Sequence, residues 1–148
     1  MKMLTIEDEH KLSDSIVSYL NGEKYLCEQA FTFDEAHMKV NVYSYDCILL
    51  DLMLSGGNGL DLLRDIRKGH YPVGVIILSA KDSLDDKVKG LQIGADNCLA
   101  KPFHLAELSM RIFAVIRRRD FSASNFIESN GIRINLLDKS VMVSNVPI

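Results

Sequence analysis

Residues 47–51 read CILLD, a run of apolar side chains that ends on Asp51. A short, unbroken run of this kind is typical of a strand that is buried on both faces of a parallel sheet. A second run, VIIL at residues 75–78, is followed directly by Ser79. Both runs therefore predict central strands of a parallel sheet, each with a polar residue at its carboxyl end.

Shorter or weaker strand patterns lie at residues 3–6, 25–30 and 98–100. Segments with the 3.6-residue helical period separate these runs, and one of them opens at Asp34, which we expect to be its N-cap. Five strand–helix repeats predict a doubly wound α/β fold over residues 1–119. In such sheets the functional site lies at the carboxyl ends of the strands.

The pattern changes after Arg119. Residues 120–125 (DFSASN) are short and polar and predict a linker. Residues 131–136 and 140–143 alternate between apolar and polar side chains, which predicts a β-hairpin. An isolated hairpin is marginal in water, so we expect residues 126–148 to be a fragment of a larger domain or to pack on a neighbour.

Composition excludes several classes of protein. The formal net charge of -3 argues against an extended basic surface that binds polyanions such as nucleic acids. Cys27, Cys47 and Cys98 lack metal-ligand spacing and are interpreted as free thiols in a reducing cytosol. The sequence contains neither an apolar run of membrane-spanning length nor a signal peptide pattern, so we predict a cytoplasmic protein without a membrane partner.

Polar side chains follow four of the predicted strands: Glu7–Glu9, Asp51, Ser79 and Lys101. The fold would bring these side chains to one edge of the sheet. Clustered carboxylates need a cation among them. We expect Mg²⁺, which prefers oxygen ligands. A lysine and a hydroxyl beside them suit a phosphoryl group. This set predicts phosphoryl transfer to the Asp51 carboxylate to form an acyl phosphate.

The same blocks resemble a known family. Residues 6–9 (IEDE), 45–54 (YDCILLDLML), 78–80 (LSA), 94–96 (GAD) and 101–103 (KPF) closely resemble receiver domains of two-component response regulators. The resemblance covers residues 1–119 and implies a flavodoxin-like (βα)5 fold with strand order 2-1-3-4-5. Residues 126–148 resemble the first β-strands of the winged-helix output domain in the OmpR/PhoB-type subfamily.

The resemblance implies a role for each matching position. Asp51 would accept a phosphoryl group from the phosphohistidine of a sensor histidine kinase. Glu7, Asp8, Asp51 and the backbone carbonyl of Met53 would hold Mg²⁺. Ser79 would be the switch hydroxyl, Lys101 would pair with the phosphoryl group, and Pro102 would follow a cis peptide bond.

The resemblance also implies a homodimer through the fourth helix, the fifth strand and the fifth helix. The matching positions on that face are Lys87, Asp96, Asn97, Glu107, Arg111 and Arg118. Family members usually have an acid where Asn97 stands, so one ion pair becomes a neutral hydrogen bond. Because exposed ion pairs are each worth only ~0–1 kcal/mol, we predict a weaker dimer and not an absent one.

Two further departures concern the site. Ser55 stands where the family usually has proline, which we expect to loosen that loop. Cys98, with Ser79, is at a switch position, where the subfamily usually has a tyrosine that swings inward on activation; a cysteine cannot gate by rotation of a ring.

These features predict a response regulator in which phosphorylation favours a dimer that controls DNA binding and transcription by the output domain. Promoter DNA would be contacted only through that domain, whose recognition helix this sequence lacks. The chain would not be an enzyme beyond its own phosphorylation and dephosphorylation. A phosphatase that uses Asp51 as a transient nucleophile is disfavoured, because the usual second acid is replaced by Met53. The main alternative is a receiver-like interaction module that acts without phosphorylation.

Overall fold

In a computed structural model of the chain, the structure describes residues 1–69, 72–80 and 84–128, with the backbone alone from residue 120. Five strands and five helices alternate along these residues. They are β1 Lys2–Ile6, α1 His10–Gly22, β2 Leu26–Ala30, α2 Phe33–Val42, β3 Cys47–Asp51, α3 Gly59–Lys68, β4 Gly74–Ala80, α4 Leu84–Ile93, β5 Asn97–Lys101 and α5 Leu105–Glu128.

The five strands form one parallel sheet in the order β2-β1-β3-β4-β5, which confirms the predicted flavodoxin-like fold. The two apolar runs form the central strands β3 and β4, and all of β3 is buried. The edge strand β2 is exposed at Leu26 and only partly buried at the next residues, which explains its weaker sequence pattern. One core cluster joins Leu4, Ile48 and Val75 of the sheet to Leu63 of α3.

Two local features differ from the sequence prediction. The N-cap of α2 is Thr32, whose side chain accepts a hydrogen bond from the Glu35 backbone N–H, so Asp34 lies in the first helical turn. Both residue types cap helices well, and the pattern alone did not separate them. A small antiparallel ribbon, Met53–Leu54 paired with Gly57–Asn58, leads into α3, whose N-cap is Asn58.

The helix α5 continues through residues 120–125 and ends at Glu128, and the role of these residues as a linker stays a prediction. This segment contains no glycine or proline to stop the helix. The chain divides into a compact unit of Met1–Val115 and a second unit of Ile116–Ile148. The predicted hairpin at residues 131–143 lies outside the described residues, and the predicted domain boundaries stay predictions.

None of the helices in the described ranges combines the length and apolar character needed to cross a membrane. The peptide bond between Lys101 and Pro102 is cis, as the family resemblance implies.

Candidate functional site

An acidic cluster forms where β1 and β3 end. These strands are adjacent and parallel, and Ile6 pairs with Leu50 in register, so the residues that follow lie side by side. One carboxylate oxygen each from Glu7, Asp8 and Asp51 lies within 4.8 Å of the others. Glu7 and Asp51 are buried and Asp8 is partly buried. The predicted convergence of these acids is confirmed.

Lys101 bridges two of the acids from the end of β5. Its Nζ lies 2.8 Å from Glu7 Oε1 and 3.2 Å from Asp51 Oδ2. Lys101 pairs in register with Ala80 of β4, so its side chain reaches across the strand between β5 and β3. The structure therefore brings the predicted lysine into direct contact with the predicted phosphoacceptor.

The charges in this cluster perturb one another. Burial raises the pKa of Glu7 to about 7, the hydrogen bond from Lys101 opposes the rise, and Asp51 adds to it. Burial alone lowers the pKa of Lys101, but Glu7 and Asp51 together outweigh it and raise that pKa. Placing several carboxylates together strongly favours either a bound cation or a retained proton.

The donor set fits a hard divalent cation. Three carboxylates and one ammonium leave a formal charge of −2 when all are ionised. The buried Oε1 of Glu7 accepts no well-aligned hydrogen bond within the described ranges, despite its short ion pair with Lys101. Carboxylate oxygens are the ligands that Mg²⁺ prefers. Glu7, Asp8 and Asp51 are therefore suitable ligands for Mg²⁺.

Backbone donors orient the carboxylates. The Met53 N–H donates to Asp51 Oδ1 at 3.1 Å, and the Glu9 N–H donates to Glu7 Oε2 at 3.2 Å. Met53 is 72% exposed and lines the space beside the cluster. A cleft of about 820 Å³ lies beside the cluster, with Lys11 and Phe103 on its walls.

Ser79 lies beside Cys98 and not on the wall of this cleft. The Ser79 hydroxyl is buried and lies 3.8 Å from the Cys98 sulfur. The two predicted switch residues are therefore neighbours across β4 and β5. The movement of Ser79 toward a phosphoryl group stays a prediction.

Asp96, predicted on the dimer face, is engaged within the chain. Its Oδ2 accepts from Arg67 Nη2 at 3.2 Å and from the Val75 N–H at 2.8 Å, and its side chain is only 15% exposed. Arg67 also donates to the carbonyls of Val73 and Gly94. The sequence analysis did not identify Arg67, and its position in the last turn of α3 gives no periodic signal for this contact.

The other predicted dimer residues lie on α4, β5 and α5. Asn97 accepts a hydrogen bond from Arg111, and Arg111 also pairs with Glu107 at 3.1 Å. Lys87 is partly exposed and Arg118 is exposed. Apolar side chains are exposed on the same two helices: Leu84, Val88 and Leu91 of α4, and Met110 and Phe113 of α5. The part of the predicted dimer residues in a dimer stays a prediction.

The loop at Ser55 makes several contacts, and its predicted loosening stays a prediction. Ser55 forms an isolated parallel bridge with Thr32, and its carbonyl accepts from the Phe33 N–H at 2.9 Å. Its hydroxyl lies 3.5 Å from Asp8 Oδ2. A serine supplies both the backbone N–H and the hydroxyl that a proline lacks.

Comparison with known proteins agrees with this geometry. The family model of the response regulator receiver domain matches residues 3–113. The chain is 39% identical over 148 residues to the transcriptional regulatory protein PmrA of Pectobacterium parmentieri, covering 100% of this chain and 67% of that protein. It is 38% identical over 148 residues to CiaR of Streptococcus pneumoniae, covering 100% of this chain and 66% of that protein. The chain thus spans about two thirds of the length of these relatives, which are OmpR/PhoB-type regulators.

Solved structures show the same fold. The receiver domain of the Francisella response regulator 1452 superposes with a TM-score of 0.74 at 35% identity, covering 79% of this chain and 97% of that one. A CheY-like receiver domain protein from Methanospirillum hungatei JF-1 gives a TM-score of 0.77 at 26% identity, covering 80% and 95%. With its parallel five-stranded sheet, its cluster of three acids and this similarity, the chain belongs to the response regulator receiver family.

Proposed function

We propose that Asp51 accepts a phosphoryl group from the phosphohistidine of a sensor histidine kinase, and that Mg²⁺ is required. Glu7, Asp8 and Asp51 would hold the ion together with the backbone carbonyl of Met53. The observation that carries the proposal is the cluster of three acidic oxygens within 4.8 Å, which Lys101 bridges at 2.8 and 3.2 Å. Phosphoryl transfer needs this combination of a carboxylate nucleophile and nearby positive charge.

In the transfer, a carboxylate oxygen of Asp51 attacks phosphorus while the bond between phosphorus and the donor imidazole nitrogen breaks. The electron pair of the broken bond returns to the imidazole, and an acyl phosphate forms on Asp51. The Met53 N–H already holds Asp51 Oδ1, so the carboxylate is oriented before the donor arrives. A bound divalent ion would neutralise charge on the phosphoryl oxygens.

Lys101 takes part by exchanging partners. Its ammonium lies between Glu7 and Asp51 and can turn to a phosphoryl oxygen once Asp51 is modified. Glu7 is the group left behind, and a divalent cation beside it would replace the lost positive charge. The phosphoryl group would therefore gain the charge of the Lys101 ammonium, while a cation would balance the charge of Glu7.

The chain would not act as a phosphatase on external substrates. Such a reaction would need a second acid near Asp51 to protonate a leaving group, and Met53 offers only an exposed thioether. Dephosphorylation of Asp51 would then be self-catalysed. The presence of Met53 at this position therefore supports a phosphoryl acceptor and not an enzyme that turns over a substrate.

Phosphorylation would act by shifting a population. Added charge at Asp51 would draw the Ser79 hydroxyl away from Cys98 and favour a homodimer through α4, β5 and α5. Exposed Val88, Leu91 and Phe113 on that face supply apolar area for association. The dimer would control DNA binding and transcription by a winged-helix output domain in the cytoplasm, and DNA would be contacted through that domain alone.

The test is light scattering on the purified chain with and without Mg²⁺ and beryllium fluoride, a mimic of the phosphoryl group. We expect the mass to rise toward that of a dimer only when both are present, and Asp51→Asn to stay monomeric. A wild-type chain that does not respond, and that also remains unmodified by a small phosphoryl donor, would favour the alternative interaction module that acts without phosphorylation.

A further inference from the structure

The hydroxyl of Ser55 is placed next to a proposed metal ligand. Ser55 Oγ lies 3.5 Å from Asp8 Oδ2, at the outer limit of a hydrogen bond. Within the described ranges, the Asp8 carboxylate has no other hydrogen bond or ion pair. By contrast, Asp51 is held by both Met53 and Lys101. Ser55 is therefore the one described residue that is placed to orient the Asp8 carboxylate through a side-chain hydrogen bond.

The segment that carries Ser55 is also held by the residues that join β2 to α2. The Phe33 N–H donates to the Ser55 carbonyl at 2.9 Å, and Thr32 forms a parallel bridge with Ser55. The Phe33 ring also packs on Gly57 so closely that an added Cβ would lie 2.5 Å from Phe33 Cδ2. The hydroxyl is thus presented by an anchored backbone, although Ser55 itself is exposed.

The loop between β2 and α2 also contacts the residues that follow Asp8. The Phe31 ring stacks on His10 with centroids 3.9 Å apart and an interplanar angle of 2°. His10 begins α1, two residues after Asp8. The same loop therefore contacts both the segment that follows Asp8 and the segment that carries Ser55. These contacts fix the position of the carboxylate relative to the hydroxyl.

From this arrangement we infer that Ser55 is a positioning residue for the cation site: it orients the Asp8 carboxylate, which with Glu7 and Asp51 would hold the ion. This inference rests on the proposed function. Ligating carboxylates are commonly held by hydrogen bonds from a surrounding shell, and loss of such a partner typically weakens metal affinity by about 10–100-fold. The long 3.5 Å contact points to the lower end of that range.

The test compares Ser55→Ala, Ser55→Thr and Ser15→Ala in the purified chain. Ser15 is an exposed hydroxyl on the wall of the cleft of about 820 Å³ that Asp8 also lines, and it is the matched control. Mg²⁺ is titrated into the ¹⁵N-labelled chain while the amide resonances are followed, which gives a dissociation constant. The rate of phosphorylation by phosphoramidate is then measured as a function of Mg²⁺ concentration.

We expect Ser55→Ala to bind Mg²⁺ about tenfold more weakly, with the phosphorylation rate at saturating Mg²⁺ changed less than twofold. Ser55→Thr keeps the hydroxyl and should restore affinity to within about twofold, and Ser15→Ala should match the wild type. Equal affinity of Ser55→Ala and wild type would overturn the inference while leaving the proposed function intact. A wild-type chain without Mg²⁺-dependent shifts would overturn both.

Discussion

Replacing Lys101 by methionine keeps an unbranched side chain of similar reach but removes its ammonium group. That group lies 2.8 Å from Glu7 Oε1 and 3.2 Å from Asp51 Oδ2, and the Lys101 side chain is only 26% exposed. Without it, the buried carboxylates of Glu7 and Asp51 lie beside each other and Asp8, and no other described basic side chain forms an ion pair with them. We expect this variant to fold, to be less stable than the wild type, and to depend on Mg²⁺ for much of its stability.

The size of the effect follows from the distances. At an effective dielectric constant of about 20, opposite unit charges at these separations attract by roughly 5–6 kcal/mol per pair before desolvation. Desolvation of the lysine offsets part of this attraction, and removal of one partner of a buried ion pair costs about 3–5 kcal/mol. Because Lys101 is partly exposed, we expect the free energy of unfolding at pH 8 to fall by about 3 kcal/mol.

The loss should be smaller at lower pH. The folded pKa of Glu7 is about 7, above its ordinary value of 4.5, so the folded chain binds more protons than the unfolded chain between these values. The contribution of Glu7 to stability is therefore fully present below pH 4.5 and is lost as the pH rises through 7. At pH 6 a proton on Glu7 replaces part of the missing lysine charge, and we expect a loss of roughly 1–2 kcal/mol.

Urea unfolding followed by circular dichroism, at pH 6 and pH 8 and with or without Mg²⁺, measures these quantities. Mg²⁺ should stabilise Lys101→Met more than the wild type, because the ion binds only the folded state and no longer competes with the ammonium. Lys11→Met is the control, since Lys11 lies on the cleft wall and forms no ion pair with the described acids of the cluster. Equal stability of Lys101→Met and wild type at pH 8, or an equal loss at both pH values, would refute the reasoning.

Three further outcomes are expected. Gly57→Ala would place a Cβ 2.5 Å from the Phe33 ring and should destabilise the chain by about 1–3 kcal/mol; an unchanged melting temperature would contradict this packing. The affinity for Mg²⁺, measured by calorimetry, should rise from pH 6 to pH 8, because Glu7 with its pKa of about 7 must lose a proton to bind the ion; a flat profile would exclude Glu7 as a ligand. Arg67→Ala removes donors to two backbone carbonyls and a carboxylate and should cost about 2–3 kcal/mol in urea unfolding, whereas the exposed Arg64→Ala should cost less than about 1 kcal/mol; equal costs would contradict a structural role for Arg67.

The sequence predicts the sheet and the acidic site because both depend on strand patterns. The runs that became β3 and β4 are apolar throughout, since those strands are covered on both faces. The residues that follow them must lie at one edge of a parallel sheet, which places Asp51 near Glu7 without any knowledge of side chains. Lys101 was predicted at the same edge for the same reason.

Other features depend on contacts that leave no periodic pattern. Arg67 and Asp96 are 29 residues apart, and nothing in the spacing marks them as partners. The anchoring of Ser55 by Thr32 and Phe33 is a contact between two loops, and loop pairing has no repeat to detect. The extent of α5 is a similar case, because polar, small residues such as those at 120–125 are compatible with both a linker and a helix, and here the helix continues to Glu128.

Whether Asp51 is the phosphoacceptor is decided by intact-mass and fragmentation mass spectrometry after incubation with phosphoramidate. The chain is treated with Mg²⁺ or with EDTA, and Asp51→Asn is treated in parallel. We expect one phosphoryl group per chain, located on Asp51, in the presence of Mg²⁺, and almost none with EDTA or in the variant. A chain that stays unmodified with Mg²⁺, or that is modified equally in Asp51→Asn, would contradict the proposed role of this site.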